Sequence, residues 1–170
     1  SLPIGTTRWL VTVGDLFDVS GDDPAQLRFE GGSHRFDRIG EGLDGGEIHV
    51  AGDAGWRAGR VMSAGRLTVT GSAGGFAGSA MSGGELRIEG DAGEFLGGPL
   101  AGEMSGMSGG TIRVGGAAGE RAADRMRRGT IVVAGALGAN AASRMIAGTL
   151  IAGGRAAGVP GRMMKRGTLI

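Results

Sequence analysis

Short alternating apolar runs recur along the chain, each introduced by a glycine. Ile48, Leu67, Leu86, Ile112, Ile131, Leu150 and Leu169 stand two residues after glycines 46, 65, 84, 110, 129, 148 and 167. The steps are 19, 19, 26, 19, 19 and 19. Val50, Val69, Ile88, Val114 and Val133 follow two residues further on. An apolar-x-apolar pair at period two predicts a short strand with one buried face. Glycines on both sides predict turns with positive φ. A 19-residue unit so rich in glycine does not comfortably hold a helix, two turns and a strand. It predicts one coil of a β-solenoid. Coils then stack about 4.8 Å apart, the ordinary spacing of neighbouring strands, and like residues form columns along the axis.

The columns are chemically coherent. Ala54, Ala73, Ala92 and Ala118 mark a place where the coil is thin. Met62, Met81, Met107, Met126, Met145 and Met164 form a sulfur column, read as core filling by a flexible side chain rather than as a metal site. Outside, Glu47, Arg66 and Glu85 alternate in charge before Thr111, Thr130, Thr149 and Thr168 continue the column. Each such cross-strand pair contributes about 0.2–1 kcal/mol. The next outward column, His49, Thr68, Arg87, Arg113, Val132 and Ile151, turns apolar toward the C-terminus. That is either local variation or a partner contact on the last coils. Arg57, Phe76, Phe95 and Arg121 predict two stacked rings between two guanidiniums, foremost a solenoid-stabilising arrangement.

The single step of 26 places seven extra residues around Gly98–Met104. Residues 27–170 are therefore read as about seven coils with an insertion near 98–104, and residues 1–26 as a capping segment. Trp9, Val11, Val13 and Phe17 are expected to pack over the first coil. Solenoid ends need covering because open strand edges invite unwanted pairing. The start at Ser1 and the fresh strand at Ile170 lead us to expect a piece of a longer chain, or a partner over the far edge.

Composition removes most other classes. Of 170 residues 39 are glycine, against an ordinary share of about 7%, and a helical bundle does not survive that. Collagen needs glycine at every third position and abundant proline, and only 4 prolines are present. With no cysteine, the chain has no disulfide, thiolate nucleophile, iron–sulfur cluster or thiolate zinc site. The only histidines, His34 and His49, lack metal-ligand spacing. Asp53, Glu89, Asp91, Glu94, Glu103, Glu120 and Asp124 are scattered, and no spacing singles out an acid–base pair. The Gly-x-Gly runs have no strand–loop–helix context and no Gly-Lys-Ser/Thr. No catalytic residue and no metal site is expected. No apolar run approaches the ~20 residues of a membrane helix, and Asp15 and Asp18 interrupt any signal-peptide core. A reducing cytoplasm fits the absence of cysteine.

Charge is distributed unevenly. Residues 1–103 carry 8 basic and 15 acidic side chains, net −7, whereas residues 104–170 carry 10 and 2, net +8. In a solenoid, sequence order becomes position along the axis, so the molecule is electrically polar. Arg125 and Arg144 lie one period apart; Arg127 and Lys165, like Arg128 and Arg166, lie two apart. Together with Arg162 these form the candidate partner- or anion-binding set, the alternative being a solvated basic face. Nucleic acid is not expected, given a net charge of +1 and no recognition helix or aromatic platform.

The segments GGEIHVAGDAGWRAGRVMSAG, GMSGGTIRVGGAAG and RMRRGTIVVAG, with GDLFDVSG at Gly14–Gly21, resemble one family over about residues 14–170. It comprises the C-type subunits of formylmethanofuran dehydrogenase and of its bacterial relative, the formyltransferase/hydrolase complex. The glycine-rich C-terminal domain of glutamate synthase large subunits is similar. The insertion and the ending RMIAGTL…MKRGTLI favour the formylmethanofuran branch. The bias to 17 arginines over one lysine suggests a GC-rich genome, hence a bacterial methylotroph. The resemblance implies a right-handed parallel β-helix acting as a noncatalytic scaffold, with partners of the A, B and D type. It implies a complex that moves formyl from formyl-tetrahydromethanopterin to methanofuran and releases formate. Methanofuran and metals would then sit on partner subunits. The alternatives are a component of the molybdenum or tungsten dehydrogenase, a glutamate synthase domain, or a stand-alone structural module.

Overall fold

A computed structural model describes Pro3–Ile4, Val11–Thr12, Asp18, Ser20 and residues 23–170. Strands β1 (Pro3–Ile4) and β2 (Val11–Thr12) pair antiparallel. Strands β3 (Gln26–Glu30), β4 (Asp44–Ala51), β5 (Ala64–Val69), β6 (Glu85–Ile88), β7 (Thr111–Val114), β8 (Thr130–Val133), β9 (Thr149–Ala152) and β10 (Thr168–Leu169) form one parallel sheet in sequence order. This is a β-solenoid, and no helix occurs among the described residues. Ile48 lies opposite Leu67, Leu67 opposite Leu86, Leu86 opposite Ile112 and Ile112 opposite Ile131. The sequence columns are thus physical files. Strand β3 extends the sheet beyond the 19-residue count, since Gln26 pairs with Glu47 at an offset of 21.

The core follows from the alternation. Leu67, Val69, Leu86, Ile112, Ile131, Val133 and Leu150 are fully buried, as are Met62, Met81, Met107, Met126 and Met145. Each such burial removes apolar surface worth about 1.5–3 kcal/mol. Ala54, Ala73, Ala92, Ala118, Leu137 and Ala156 bridge in parallel, making a second ladder where the winding is thin. Phe29 and Phe36 meet edge to face, 4.9 Å apart, and pack against the core at the first coil. Of the residues expected to cap that coil, Trp9, Val13 and Phe17, and the side chain of Val11, lie outside the described residues.

The glycines before the strands do take positive φ, from 70° at Gly46 to 114° at Gly167. The other turn face departs from expectation. Arg57, Phe76, Phe95, Arg121 and Asn140 form one left-handed column (φ 54–65°). Val61, Ala80, Arg125, Arg144 and Met163 form another, at φ 50–58°. A left-handed non-glycine residue costs roughly 1–2 kcal/mol. The return is a backbone hydrogen bond to the next coil: Arg57 N–H reaches the Gly75 carbonyl at 2.9 Å, Phe76 that of Glu94 at 2.8 Å, and Val61 that of Ser79 at 2.9 Å. The intervening Gly59 and Gly78 donate instead to the preceding coil, to Ile39 and Ala58. Amides of one turn therefore bond both upward and downward, which satisfies these backbone donors where no strand ladder runs.

Candidate functional site

The predicted basic residues fall into two groups. Arg144 is committed within the protein. Its Nε donates to Asp124 Oδ1 at 3.1 Å and its Nη2 to Oδ2 at 2.6 Å, and Asp124 is 1% exposed. Arg125 donates from Nη1 to the Glu103 carbonyl at 3.0 Å. Stacked one coil apart, these two side chains each meet an internal acceptor, so the expected repulsion between them is offset. By contrast, Arg127, Arg128, Arg162, Lys165 and Arg166 are exposed and form no ion pair among the described residues. Arg155 joins them. Arg127, Ile146 and Lys165 follow one another up a column, each donating its amide to the methionine carbonyl of the coil below. Arg127 and Lys165 therefore flank Ile146 at roughly twice the strand spacing, about 10 Å.

The insertion is pinned rather than loose. The Met107 amide closes its base on the Gly97 carbonyl at 2.7 Å. Glu103 turns inward: its carboxylate receives Arg60 Nη2, and its Oε2 accepts the Leu100 amide at 2.9 Å. Arg60, only 16% exposed in its side chain, also lies 3.5 Å from Glu41. Sequence reasoning did not single out this clamp. Arg60 and Glu41 are one period apart, which was a readable signal, but Glu103 sits where the period is broken.

Other polar residues hold the winding together. Asp53 Oδ1 accepts the Ser72 amide at 2.8 Å, Ser72 Oγ the Asp91 amide at 3.1 Å, and Asp91 Oδ1 the Ala117 amide at 2.7 Å. Arg66 bridges Glu47 at 3.0 Å and Glu85 at 3.2 Å, as the outward column predicts, and Arg113 reaches Glu85 at 3.4 Å. Arg28 hydrogen-bonds Glu30 and holds its carboxyl below the ordinary carboxylate range. Phe76 and Phe95 stack at 4.8 Å with 9° between their planes, and Arg121 lies over Phe95 at 5.6 Å. At the other end of this stack the expected Arg57 is replaced by Trp56, 5.8 Å from Phe76. Arg57 instead lines a shallow depression of ≈ 240 Å³ with Asp37, Arg38 and Trp56. Among the described residues no three of His, Cys, Asp and Glu converge as metal ligands. No helix there is long and apolar enough to cross a membrane.

No protein-family model matches the chain. A stretch of 56 residues, 33% of the chain, is 52% identical to the C-type component of the formyltransferase/hydrolase complex Fhc of Methylorubrum extorquens, covering 21% of that protein. Among solved structures, a chain of the formyltransferase/hydrolase complex (FhcABCD) from Methylorubrum extorquens, crystallised in complex with methylofuran, matches with a TM-score of 0.78. The identity is 43%, over 99% of the present chain and 66% of that one, so the chain spans about two thirds of its structural relative's length. With the same winding carried at that identity along nearly every residue, the chain belongs to the family of C-type subunits of the formyltransferase/hydrolase complex.

Proposed function

We propose that this chain is the noncatalytic, C-type scaffold of a formyltransferase/hydrolase complex in one-carbon metabolism. Such a complex moves formyl from formyl-tetrahydromethanopterin to a methanofuran-type carrier and releases formate. The observation that carries this reading is the 43% identity over 99% of the chain to a chain of the FhcABCD complex. The physical chemistry of the molecule supports it. Asp53, Asp91, Glu103 and Asp124 each hold backbone or a guanidinium of this same chain, which is the work of a rigid frame. In this reading formyl chemistry, the methanofuran carrier and metals belong to A-, B- and D-type partners, and the assembly resides in the cytoplasm. The exposed cations Arg127, Arg128, Arg162, Lys165 and Arg166 face an acidic neighbour or an anionic ligand, while Arg125 and Arg144 shape that end from within.

Affinity isolation of the tagged chain from its native host tests the assignment. Co-purification of A-, B- and D-type subunits with formyl-transfer activity is the expected result. A partnerless monomer, or a metal-pterin protein in the eluate, overturns it. For the basic end, Arg127→Glu combined with Arg128→Glu is expected to weaken partner retention about tenfold at low salt, and less as salt rises.

A further inference from the structure

Arg57 is a partly buried cation without a partner. Its guanidinium forms no hydrogen bond or ion pair among the described residues, and its Nε is buried with no acceptor. Arg60 Nε is in the same position, but that guanidinium already has Glu41 and Glu103. Buried N–H groups nearly always find an acceptor, and leaving one without costs about 1–3 kcal/mol. The repeat shows how Arg57 is set free. Its column continues through Phe76 and Phe95 to Arg121, which lies over the Phe95 ring at 5.6 Å. At the near end Trp56 takes the place against Phe76, and Arg57 is released from the stack.

Arg57 lines the depression formed with Asp37, Arg38 and Trp56. Arg38 stands one coil earlier in the same column, at φ 58° against 65° for Arg57, and its amide donates to the Trp56 carbonyl at 2.8 Å. Asp37 Oδ1 is taken by the Trp56 amide at 2.7 Å. Glu41, 3.6 Å from Arg38, is shared with Arg60. The lining therefore holds two cations and one carboxylate, an excess of one positive charge. That excess matches a monoanion, and a phosphate dianion would overshoot it. A guanidinium takes a carboxylate through two parallel N–H···O bonds. Trp56, 47% exposed, supplies an apolar surface beside the charge. The volume of ≈ 240 Å³ lies below the about 300–1,000 Å³ of pockets for drug-sized ligands, so it fits one side chain rather than a cofactor. A free molecule of that size gains little contact in a shallow site, whereas a side chain carried by a larger body is held by the rest of that body as well.

We propose that this depression binds a carboxylate presented by an acidic side chain of another polypeptide, with the carboxylate on Arg57 and Arg38 and the methylene stem on the Trp56 indole. The site lies on the early coils, apart from the exposed cations of the last ones, and goes beyond the scaffold reading. The purified full-length chain tests it without partner subunits, so a failure here leaves that reading untouched. Trp9→Phe makes Trp56 the sole indole. The probes are the blocked peptide acetyl-Ala-Glu-Ala-amide, its Gln counterpart, sodium acetate and inorganic phosphate. The Glu peptide is expected to change Trp56 emission saturably, with half-saturation at about 1–10 mM in low salt. The Gln peptide binds at least about tenfold more weakly, and added salt weakens the Glu peptide. Arg57→Gln loses the Glu peptide at least about tenfold, while Arg57→Lys keeps part of the affinity. These variants fold, because the same column accepts Phe76 and Asn140 at the same backbone conformation. In the wild-type chain the Arg57 Nε–H proton resonance moves downfield as the Glu peptide binds, which keeps the test decisive if Trp9→Phe does not fold. No saturable response to the Glu peptide up to about 50 mM overturns the proposal, as does a response that Arg57→Gln leaves unchanged. Acetate held as tightly as the Glu peptide overturns the choice of a side chain as occupant. Phosphate held more tightly than the Glu peptide overturns the choice of a carboxylate.

Discussion

The buried pair Asp124–Arg144 allows a prediction in which the protein's own repeats supply the control. In the column of Asp124 stand Ser79, fully buried, and Ser143, 6% exposed. In the column of Arg144 stands Ala80, with the same left-handed backbone. The winding therefore accommodates serine at the first place and alanine at the second. Arg144→Ala removes both donors from a carboxylate that is 1% exposed. Leaving such a charge unpaired costs about 3–5 kcal/mol. Asp124→Ser is milder, because the Arg144 side chain is 34% exposed and can turn to water, at a cost of about 1–2 kcal/mol. The double variant Asp124→Ser/Arg144→Ala removes the orphan and is expected within about 1 kcal/mol of wild type. Urea denaturation of the purified chain, followed by circular dichroism, reads all four proteins. In melting temperature the Arg144→Ala deficit corresponds to roughly 6–20 °C for a chain of this size. If the double variant is as unstable as Arg144→Ala alone, the loss is not that of an uncompensated charge and the argument fails.

Three further outcomes are expected. At Gly83 an added Cβ would lie 2.1 Å from the Ser63 carbonyl oxygen, so Gly83→Ala forces adjacent coils apart and costs at least about 2 kcal/mol in a urea titration. Gly102→Ala, at φ 88° with nothing within 4 Å, costs only the left-handed strain of about 1 kcal/mol. Phe76→Ala removes the ring between Trp56 and Phe95 and is expected to cost about 3 kcal/mol, with a shift in indole fluorescence that Phe95→Ala does not reproduce.

How far the sequence carried this reading depends on what each residue's position was tied to. Ile48, Leu67 and Leu86 could be placed because a solenoid converts a period into a neighbour: knowing the step of 19 is knowing who touches whom. The Glu47–Arg66–Glu85 ladder and the Phe76–Phe95 stack were legible for the same reason. The left-handed turn was not. Arg57, Phe76 and Val61 carry no local preference for positive φ, and their conformation is imposed by hydrogen bonds to the next coil, which propensity cannot see. Charge counting failed in a related way. It measured the basic half correctly as a sum, yet Arg144 faces Asp124 at one period plus one residue, and a column aligned in whole periods does not bring the two together. Glu103 is the sharpest case, since inside the insertion the period defines no neighbour at all. It is there, where repetition stops constraining the chain, that an apolar side chain stands 79% exposed on a clamped loop.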